Sequence, residues 1–480
     1  MGRLVRSPPG TSAGRGDSGF RLVSGPQAAF DTRLALIQAA SRTLDLQYYA
    51  IHADQSTATL IARLREAAQR GVRVRILLDD LNSVGPDAQL MLLTFEKNIE
   101  IRMFNPLTGS RASLLTRGLG SLTNLSRIQR RMHNKLFLAD NALAIAGGRN
   151  LGDAYFGRAE LANFVDLDML VTGPLVRTLS VSFDTYWNDP LAYPVERLMS
   201  KQELLDLRAS ADRTGGTAES TVAMPAPPAA AAAATPASTQ QALDLLRGGW
   251  TWADAVVLAD KPAKIVDEEE GQAQETVLDG LLDLMRQARR DVLIISPYFV
   301  PGEQLLGVLA ALRQRGVTVR VLTNSMASTD APLAHAGYAR YRLRLLGLGV
   351  QLYEMRSQQT VHLRELRSSV ASNSALHAKA VIVDGRTLAI GSMNLDLRSR
   401  RYNTELALVI RSAAIAAGAA AGIEPAMQHG AYRLELSQGR VVWHGPVGAG
   451  LDDGVTEPDS SLAARILLAL LGPFAPEELL

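Results

Sequence analysis

Leu60, Ile61, Leu64, Ala67 and Ala68 recur at the spacing of one helical face, and Gly71 closes the pattern. Val72, Val74 and Ile76 then alternate with polar residues, the period of a half-buried strand. The same succession returns downstream: Leu305, Leu306, Leu309 and Leu312 at helical spacing, then Gly316, then Val317, Val319 and Val321 in alternation. Each glycine stands where a helix favours a left-handed residue after its last turn. The apolar runs "TLDLQYYAI" and "DVLIISPYFV" precede the two helices. Strand, helix and strand in each half predict α/β units with a mostly parallel sheet.

The two halves share more than a pattern. "QRGVRVRIL" at 69–77 is matched by "QRGVTVRVL" at 314–322, and "HNKLFLAD" at 133–140 by "HAKAVIVD" at 377–384. Gly71 lies 62 positions before His133 and Gly316 lies 61 before His377, so one unit is used twice. A chain of 480 residues is also long enough for two domain-sized cores. Between the halves runs "GGTAESTVAMPAPPAAAAAATPASTQ", which has too little apolar surface to offset the cost of ordering it. The division expected is a Gly/Pro/Ser-rich tail at 1–18, a first domain at 19–208 and an Ala/Pro-rich linker at 209–242. A second domain at 243–435 and a C-terminal segment at 436–480 complete it. In that last segment "LAARILLALLGPF" reads equally as a membrane-interfacial helix or a core helix.

The repeated motif carries the chemistry. Its first copy is His133, Lys135, Asp140, Gly147 and Asn150; its second is His377, Lys379, Asp384, Gly391, Ser392 and Asn394. His and Lys two apart on a strand project from one face, and a glycine turn returns the Asn amide to the same edge. An ammonium cannot ligate and repels a cation, so the set suits a phosphate and not a metal. Phosphodiester transfer needs two imidazoles on opposite sides of phosphorus. One attacks and becomes a phosphohistidine, while the other protonates the departing oxygen and then deprotonates the incoming alcohol or water. One histidine from each half places the active site at a pseudo-twofold interface. Each imidazole also calls for a carboxylate that fixes its tautomer: Glu405 follows the second motif, and Asp166, in preference to Asp168, follows the first.

Composition narrows the field. Hydrophobic residues at 47% and charged residues at 20% fit a folded protein. The net charge is only +2, yet no Asp or Glu occurs from Ile101 to Ala139, where Arg102, Arg111, Arg117, Arg127, Arg130, Arg131 and Lys135 cluster ahead of the first motif. That run is expected to face an anionic surface. The absence of cysteine excludes disulfides, thiol nucleophiles and thiolate metal sites. The first twenty residues hold no apolar run fit for a signal-peptide core, and no segment has the 18 apolar residues of a spanning helix. Aromatic residues are 5%, with no basic platform interleaved with them, so no nucleic acid is expected.

His-x-Lys, four residues, Asp, six residues, Gly, two residues and Asn, written twice, resembles the phospholipase D superfamily. "RRMHNKLFLAD", "GGRNLGDAYF", "FVDLDML", "TNSMASTD" and "LHAKAVIVDGRTLAIGSMNLDLRSRRYNTE" extend the similarity to bacterial cardiolipin synthases of the C-type group. The resemblance implies two phospholipase D-like α/β/α units related by pseudo-twofold symmetry, with mostly parallel mixed sheets and the active site at their interface. It implies phosphatidyl transfer without cofactor or metal, from phosphatidylglycerol or phosphatidylethanolamine to phosphatidylglycerol. Hydrolysis of phospholipid or nucleic acid is the alternative. A peripheral position on the cytoplasmic face of the bacterial inner membrane follows, and any helper protein stays unspecified. By position His133 is the implied nucleophile and His377 the acid/base. Lys135, Lys379, Asn150 and Asn394 hold phosphoryl oxygens, Asp166 and Glu405 orient the histidines, and Asp140 and Asp384 support the site. Ser392 has Gly148 as its first-half counterpart, so the two sides are not equivalent. Asp330, His335, Tyr338 and Arg340 are candidates for an acceptor or lipid pocket. Tyr48, Tyr49, Pro297 and Tyr298 are candidates for its walls or for ordinary packing, and His52, His362, His429 and His444 have no motif context.

Overall fold

The computed structural model describes residues 17–83, 85–107, 125–199, 246–266, 275–358 and 373–463, with isolated positions at 202–209, at 244 and at 465–466. The tail to residue 16, nearly all of the expected linker, Arg111, Arg117, His362 and the end of the C-terminal segment lie outside the described residues.

The first half runs β1 (Ser18–Val23), α1 (Pro26–Ala39), β2 (Thr43–Tyr48), α2 (Gln55–Gln69), β3 (Arg73–Asp79), β4 (Ile99–Phe104), β5 (Arg131–Met132), β6 (Leu136–Ala139), β7 (Leu143–Gly147), β8 (Ala162–Val165), β9 (Asp168–Thr172), α3 (Pro174–Trp187) and β10 (Ala192–Pro194). The second repeats the order with β11 (Thr251–Ala259), α4 (Val277–Arg286), β12 (Asp291–Ile295), α5 (Gly302–Gln314), β13 (Thr318–Asn324), α6 (Pro332–Ala339), β14 (Gln351–Met355), β15 (Asn373–Leu376), β16 (Ala380–Val383), β17 (Thr387–Gly391), β18 (Asn403–Thr404), β19 (Leu406–Arg411) and α7 (Ala413–His429). The hairpin β20 (Ala431–Ser437) and β21 (Arg440–His444) follows. Helix α2 ends as its pattern required, with Gly71 at φ +93°, and α5 likewise at Gly316 with φ +78°.

The main strands form one open run in the order β10, β4, β3, β2, β6, β7, β9, β1, β11, β19, β17, β16, β12, β13, β14, β20, β21. The halves meet where β1 pairs antiparallel with β11, Gly19 opposite Trp252. The sheet is mixed, but not mostly parallel as expected. Parallel pairs are confined to β2–β3–β4 and β12–β13–β14, the βαβ crossovers visible in the sequence. The motif strands instead form hairpins, β6 with β7 and β16 with β17, because a three-residue turn can join only antiparallel neighbours. Asp140 and Asn141 make the first turn at φ +53° and +52°, Asp384 and Gly385 the second at +54° and +62°.

Three cores hold these layers. Leu36, Ile61, Leu64 and Ile76 pack α1 and α2 on the outer face of the first sheet. Leu281, Leu305, Leu309 and Val319 do the same with α4 and α5 in the second. The third core is shared: Leu179 and Phe183 of α3 and Ala419 and Ile423 of α7 pack with Leu136, Met169, Ile382 and Leu408 from strands of both halves. The boundary expected at residue 435 cuts β20, and the chain beyond it stays on the second half, where Glu457 pairs with Arg342 at 2.5 Å and Asp459 with Arg356 at 3.3 Å.

Asp140 and Asp384 do not belong to the reacting centre. Each lies seven residues from its histidine, across a buried strand, which is roughly 20 Å of extended chain. Asp140 accepts the backbone N–H groups of Ser41, Arg42 and Thr43, and Asp384 those of Arg289, Arg290 and Asp291. They tie the hairpin turns to the starts of β2 and β12. Asp140→Ala is expected to cost about 2 kcal/mol in denaturant unfolding while the folded fraction keeps its turnover. A loss of turnover without loss of stability would return Asp140 to the site.

Candidate active site

Two short parallel ladders join the halves away from the main sheet. β5 pairs with β18, Met132 opposite Thr404, and β15 pairs with β8, Leu376 opposite Val165. The residues that follow each ladder are His133 and Glu405 in one case, His377 and Asp166 in the other. Parallel register therefore delivers each histidine to a carboxylate of the opposite half. His133 N–H donates to Thr404 O at 3.0 Å and His377 N–H to Val165 O at 2.8 Å, which carries the register up to the imidazoles.

The side chains complete what the ladders begin. His133 Nδ1 lies 2.9 and 3.0 Å from the two oxygens of Glu405, and His377 Nδ1 lies 2.6 Å from Asp166 Oδ2. With Nδ1–H donating to the carboxylate, each Nε2 is left to act. Lys135 Nζ donates to His133 O at 2.7 Å and Lys379 Nζ to His377 O at 2.5 Å. Both ammonium groups are buried beside the imidazoles they follow. Tyr49 packs edge-on against His133 with ring centroids 5.0 Å apart, and Tyr155 does so against His377 at 5.2 Å. Asn150 Nδ2 donates to Tyr155 OH at 2.9 Å, while Asn394 Oδ1 is buried without a hydrogen-bond partner among the described residues.

The motif glycines are steric necessities. A Cβ on Gly391 would run into the carbonyl oxygen of Leu406, and one on Gly147 into Asp168 and the carbonyl of Leu167. At the next position the halves part. Ser392 donates to Glu405 Oε2 at 2.5 Å, whereas a Cβ on Gly148 would collide with the Asp166 carboxylate. The first half thus lacks the serine because its own carboxylate, turned toward His377, occupies that space.

Charge divides the two sides further. Burial, with Lys135 and Lys379 nearby, holds His133 well below the usual imidazole range, and burial with Lys379 brings His377 to about 4. Burial lowers Lys135 to about 7 and Lys379 to about 8. Burial alone would raise Asp166, but His377, Lys379 and Arg149 hold it at about 2. Glu405 has weaker compensation, chiefly from Lys135 and Ser392, and burial pushes it up to about 7.

Several positioning groups had not been singled out in the sequence. Asp79 accepts Met132 N–H at 2.8 Å and pairs with buried Arg131 at 3.1 Å, and Asn324 accepts Leu376 N–H at 2.8 Å. Asp79 and Asn324 are the last residues of β3 and β13, so the repeat alignment held the signal. Asp260 accepts Glu405 N–H at 2.9 Å and is paired with Lys264 at 2.7 Å. Asp168 is not a histidine partner: it sits between Arg33 at 2.9 Å and Arg149 at 3.2 Å. The basic run does not form an outward surface among its described residues. Arg131 is buried, Arg102 stacks on Trp187, Arg127 binds Asn105, and Arg130 reaches the carbonyls of Ile265 and Val266. Tyr48 is a core residue bonded to Arg33, and His335, Tyr338 and Arg342 form a cluster that holds Glu457. Tyr298 donates to Asp330 at 2.7 Å.

The chain is similar to known proteins in sequence and in fold. The family model described as "Cardiolipin synthase, PLD-like domain" matches residues 34–187 and 281–424. Cardiolipin synthase C of Escherichia coli strain K12 is 38% identical over 427 residues, covering 86% of both chains. A cardiolipin synthase of Geobacillus kaustophilus is 25% identical over 386 residues, 80% of this chain and 61% of that protein. The crystal structure of phosphatidylserine synthase from Haemophilus influenzae Rd KW20 shares the fold, with a TM-score of 0.62 at 14% identity over 96% of this chain and 94% of that one.

Gly148→Ser, which would complete the first motif on paper, is expected to displace Asp166 from His377 and lower turnover at least 100-fold, with the protein still folded. A Gly148→Ser variant as active as the parent would contradict the steric account.

Proposed function

The chain belongs to the cardiolipin synthase family of phospholipase D-like proteins, and from that premise we propose the course of its reaction. A phosphatidyl group passes from phosphatidylglycerol or phosphatidylethanolamine to the terminal hydroxyl of phosphatidylglycerol, forming cardiolipin. The observation that carries the reading is the pair of crossed dyads, His133 with Glu405 and His377 with Asp166.

His133 Nε2 attacks phosphorus and the bond to the donor headgroup oxygen breaks, with His377 supplying the proton that oxygen needs. The acceptor hydroxyl then gives its proton to His377 and attacks phosphorus, and the N–P bond breaks to free His133. Lys135, Lys379, Asn150 and Asn394 take the phosphoryl oxygens as charge develops on them. The assignment of roles rests on charge. His133 is held neutral, as a nucleophile must be, and its carboxylate is the weakly compensated Glu405. His377 faces an Asp166 that stays ionised, which suits the imidazole that must carry a proton. Burial works against that proton, and the negative phosphodiester beside His377 works for it.

Both lipid substrates reside in a membrane, so the reading includes a membrane-surface contact, with the cytoplasmic face of the inner membrane as the expected location. Among the described residues no helix is long and apolar enough to cross a membrane.

Purified protein given labelled phosphatidylglycerol, with and without phosphatidylethanolamine, is expected to yield cardiolipin. Phosphatidic acid as the sole product would establish a hydrolase instead. His133→Ala and His377→Ala should each abolish turnover, and activity surviving in either would sink the two-histidine course. The pH profile is a further check. Lys135 is a cation below about 7 and Lys379 below about 8, so kcat/KM should fall as pH rises through about 7 to 8. The corresponding limb in kcat should lie higher, because bound phosphodiester favours the ammonium. A flat kcat/KM up to pH 9.5 would exclude this role for Lys379.

A further inference from the structure

In-line displacement fixes where the acceptor alcohol must stand. If His133 holds the phosphoryl group, the incoming hydroxyl approaches from the side opposite His133, which is the side of His377. The two sides differ in what surrounds them. Around His133 stand the cations Lys135, Lys379 and Arg398, while the acids on that side, Asp79 and Asp396, are buried and accept backbone N–H groups of Met132 and Ser399. On the His377 side there is an extra, exposed carboxylate: Asn324 accepts Leu376 N–H at 2.8 Å and donates to Pro297 O at 3.4 Å, which sets Tyr298, and the Asp330 bound to it, beside His377. Asp330 is exposed, in the loop between β13 and α6, and its Oδ1 accepts the hydroxyl of Tyr298 at 2.7 Å. Asp330 Oδ2 accepts no hydrogen bond from a described residue. Tyr298 in turn lies close enough to Tyr155, the ring packed on His377, for the two phenols to influence each other's charge.

A carboxylate at the edge of a phosphate-handling site needs a reason, since it repels the substrate's phosphoryl oxygens. The first half shows that the fold does not require it there. In the loop after β3 the nearby acid is Asp87, and its carboxylate is taken by Ala53 N–H at 2.6 Å and by His52 Nδ1 at 3.2 Å. Ala50 stands where the repeat has Tyr298: each directly precedes the residue bridged to the one after the motif asparagine, Ile51 to Leu151 and Phe299 to Leu395. The tyrosine–aspartate pair is therefore an addition on the His377 side alone.

We propose that Asp330, held by Tyr298, is the acceptor subsite: its carboxylate receives the hydroxyl groups of a glycerol headgroup and presents the terminal one to His377. Two adjacent hydroxyls are good donors to a single carboxylate, and an ionised acceptor makes each bond stronger than a neutral one. Water fits the same place without being held by two donors, so the subsite favours transfer over hydrolysis. This inference rests on the transfer reaction proposed above.

The test compares products. With acyl-labelled phosphatidylethanolamine as donor and unlabelled phosphatidylglycerol varied as acceptor, the parent's ratio of labelled cardiolipin to labelled phosphatidic acid is measured in mixed micelles. Asp330→Asn, at an exposed site, is expected to lower that ratio about tenfold and to raise the apparent KM for acceptor more than it lowers kcat, the loss of one charge-assisted hydrogen bond. Tyr298→Phe should move both quantities in the same direction by a smaller factor. A parent that forms no cardiolipin would overturn the transfer reading itself. A parent that forms cardiolipin, with both variants keeping its product ratio and acceptor KM, would overturn the subsite alone. Equal loss of both products in both variants would also overturn it, since that is the mark of a structural role.

Discussion

The register of two short strand pairs is the constraint on which the rest of this molecule depends. Met132 opposite Thr404 and Leu376 opposite Val165 decide that His133 meets Glu405 and His377 meets Asp166. A shift of one residue in either ladder would turn every following side chain to the other face. Neither half owns a complete dyad, and the carboxylates are buried, so separating the halves would leave charged groups without their partners, a costly arrangement. This is why the shared core around α3 and α7 and the β1–β11 seam matter to chemistry: they fix two domains as one body around the ladders.

The repeated unit supplies two similar half-sites, and small steric and electrostatic differences set them apart. Asp166 presses against the backbone at residue 148 and excludes a side chain there, while the matching position in the second half holds Ser392 as a donor to Glu405. Arg149 helps to keep Asp166 ionised, whereas Lys135, Ser392 and Lys264 do not offset the burial of Glu405. One histidine thus faces a firmly anionic partner and the other a carboxylate close to neutrality. The difference was visible in the sequence only as Gly-Gly against Gly-Ser, and its cause required the distance from Asp166 to the chain.

Local period made much of the fold legible. Helical and strand spacing around Gly71 and Gly316 gave the βαβ crossovers, and the paired motifs gave two histidines at an interface. Period says nothing about which strand lies beside which, so the crossed dyads, 272 and 211 positions apart, could not be read. Nor could the excess of antiparallel over parallel strand pairs in the main sheet. Contiguity in the motif misled at Asp140 and Asp384, which share a line of text with their histidines but stand at the far ends of the strands. Charge misled at Arg131, where an acid-free run suggested a surface and Asp79, distant in sequence, draws the guanidinium inside.

The polar interior around the histidines is poor material for stability. Lys135 and Lys379 are buried at a cost large enough to bring them near neutrality, Glu405 is raised for the same reason, and Asn394 Oδ1 finds no partner among the described residues. A hydrophobic replacement of similar volume would fold as well or better. For the two ammonium groups the complement is an anion with several acceptor oxygens, which on the proposed reaction restores their charge and lets His377 hold its proton. The cost of burying them is thus met in the bound state and not in folding. That inverts the usual order of stabilisation and marks the interface as a site shaped by the charge of a phosphodiester.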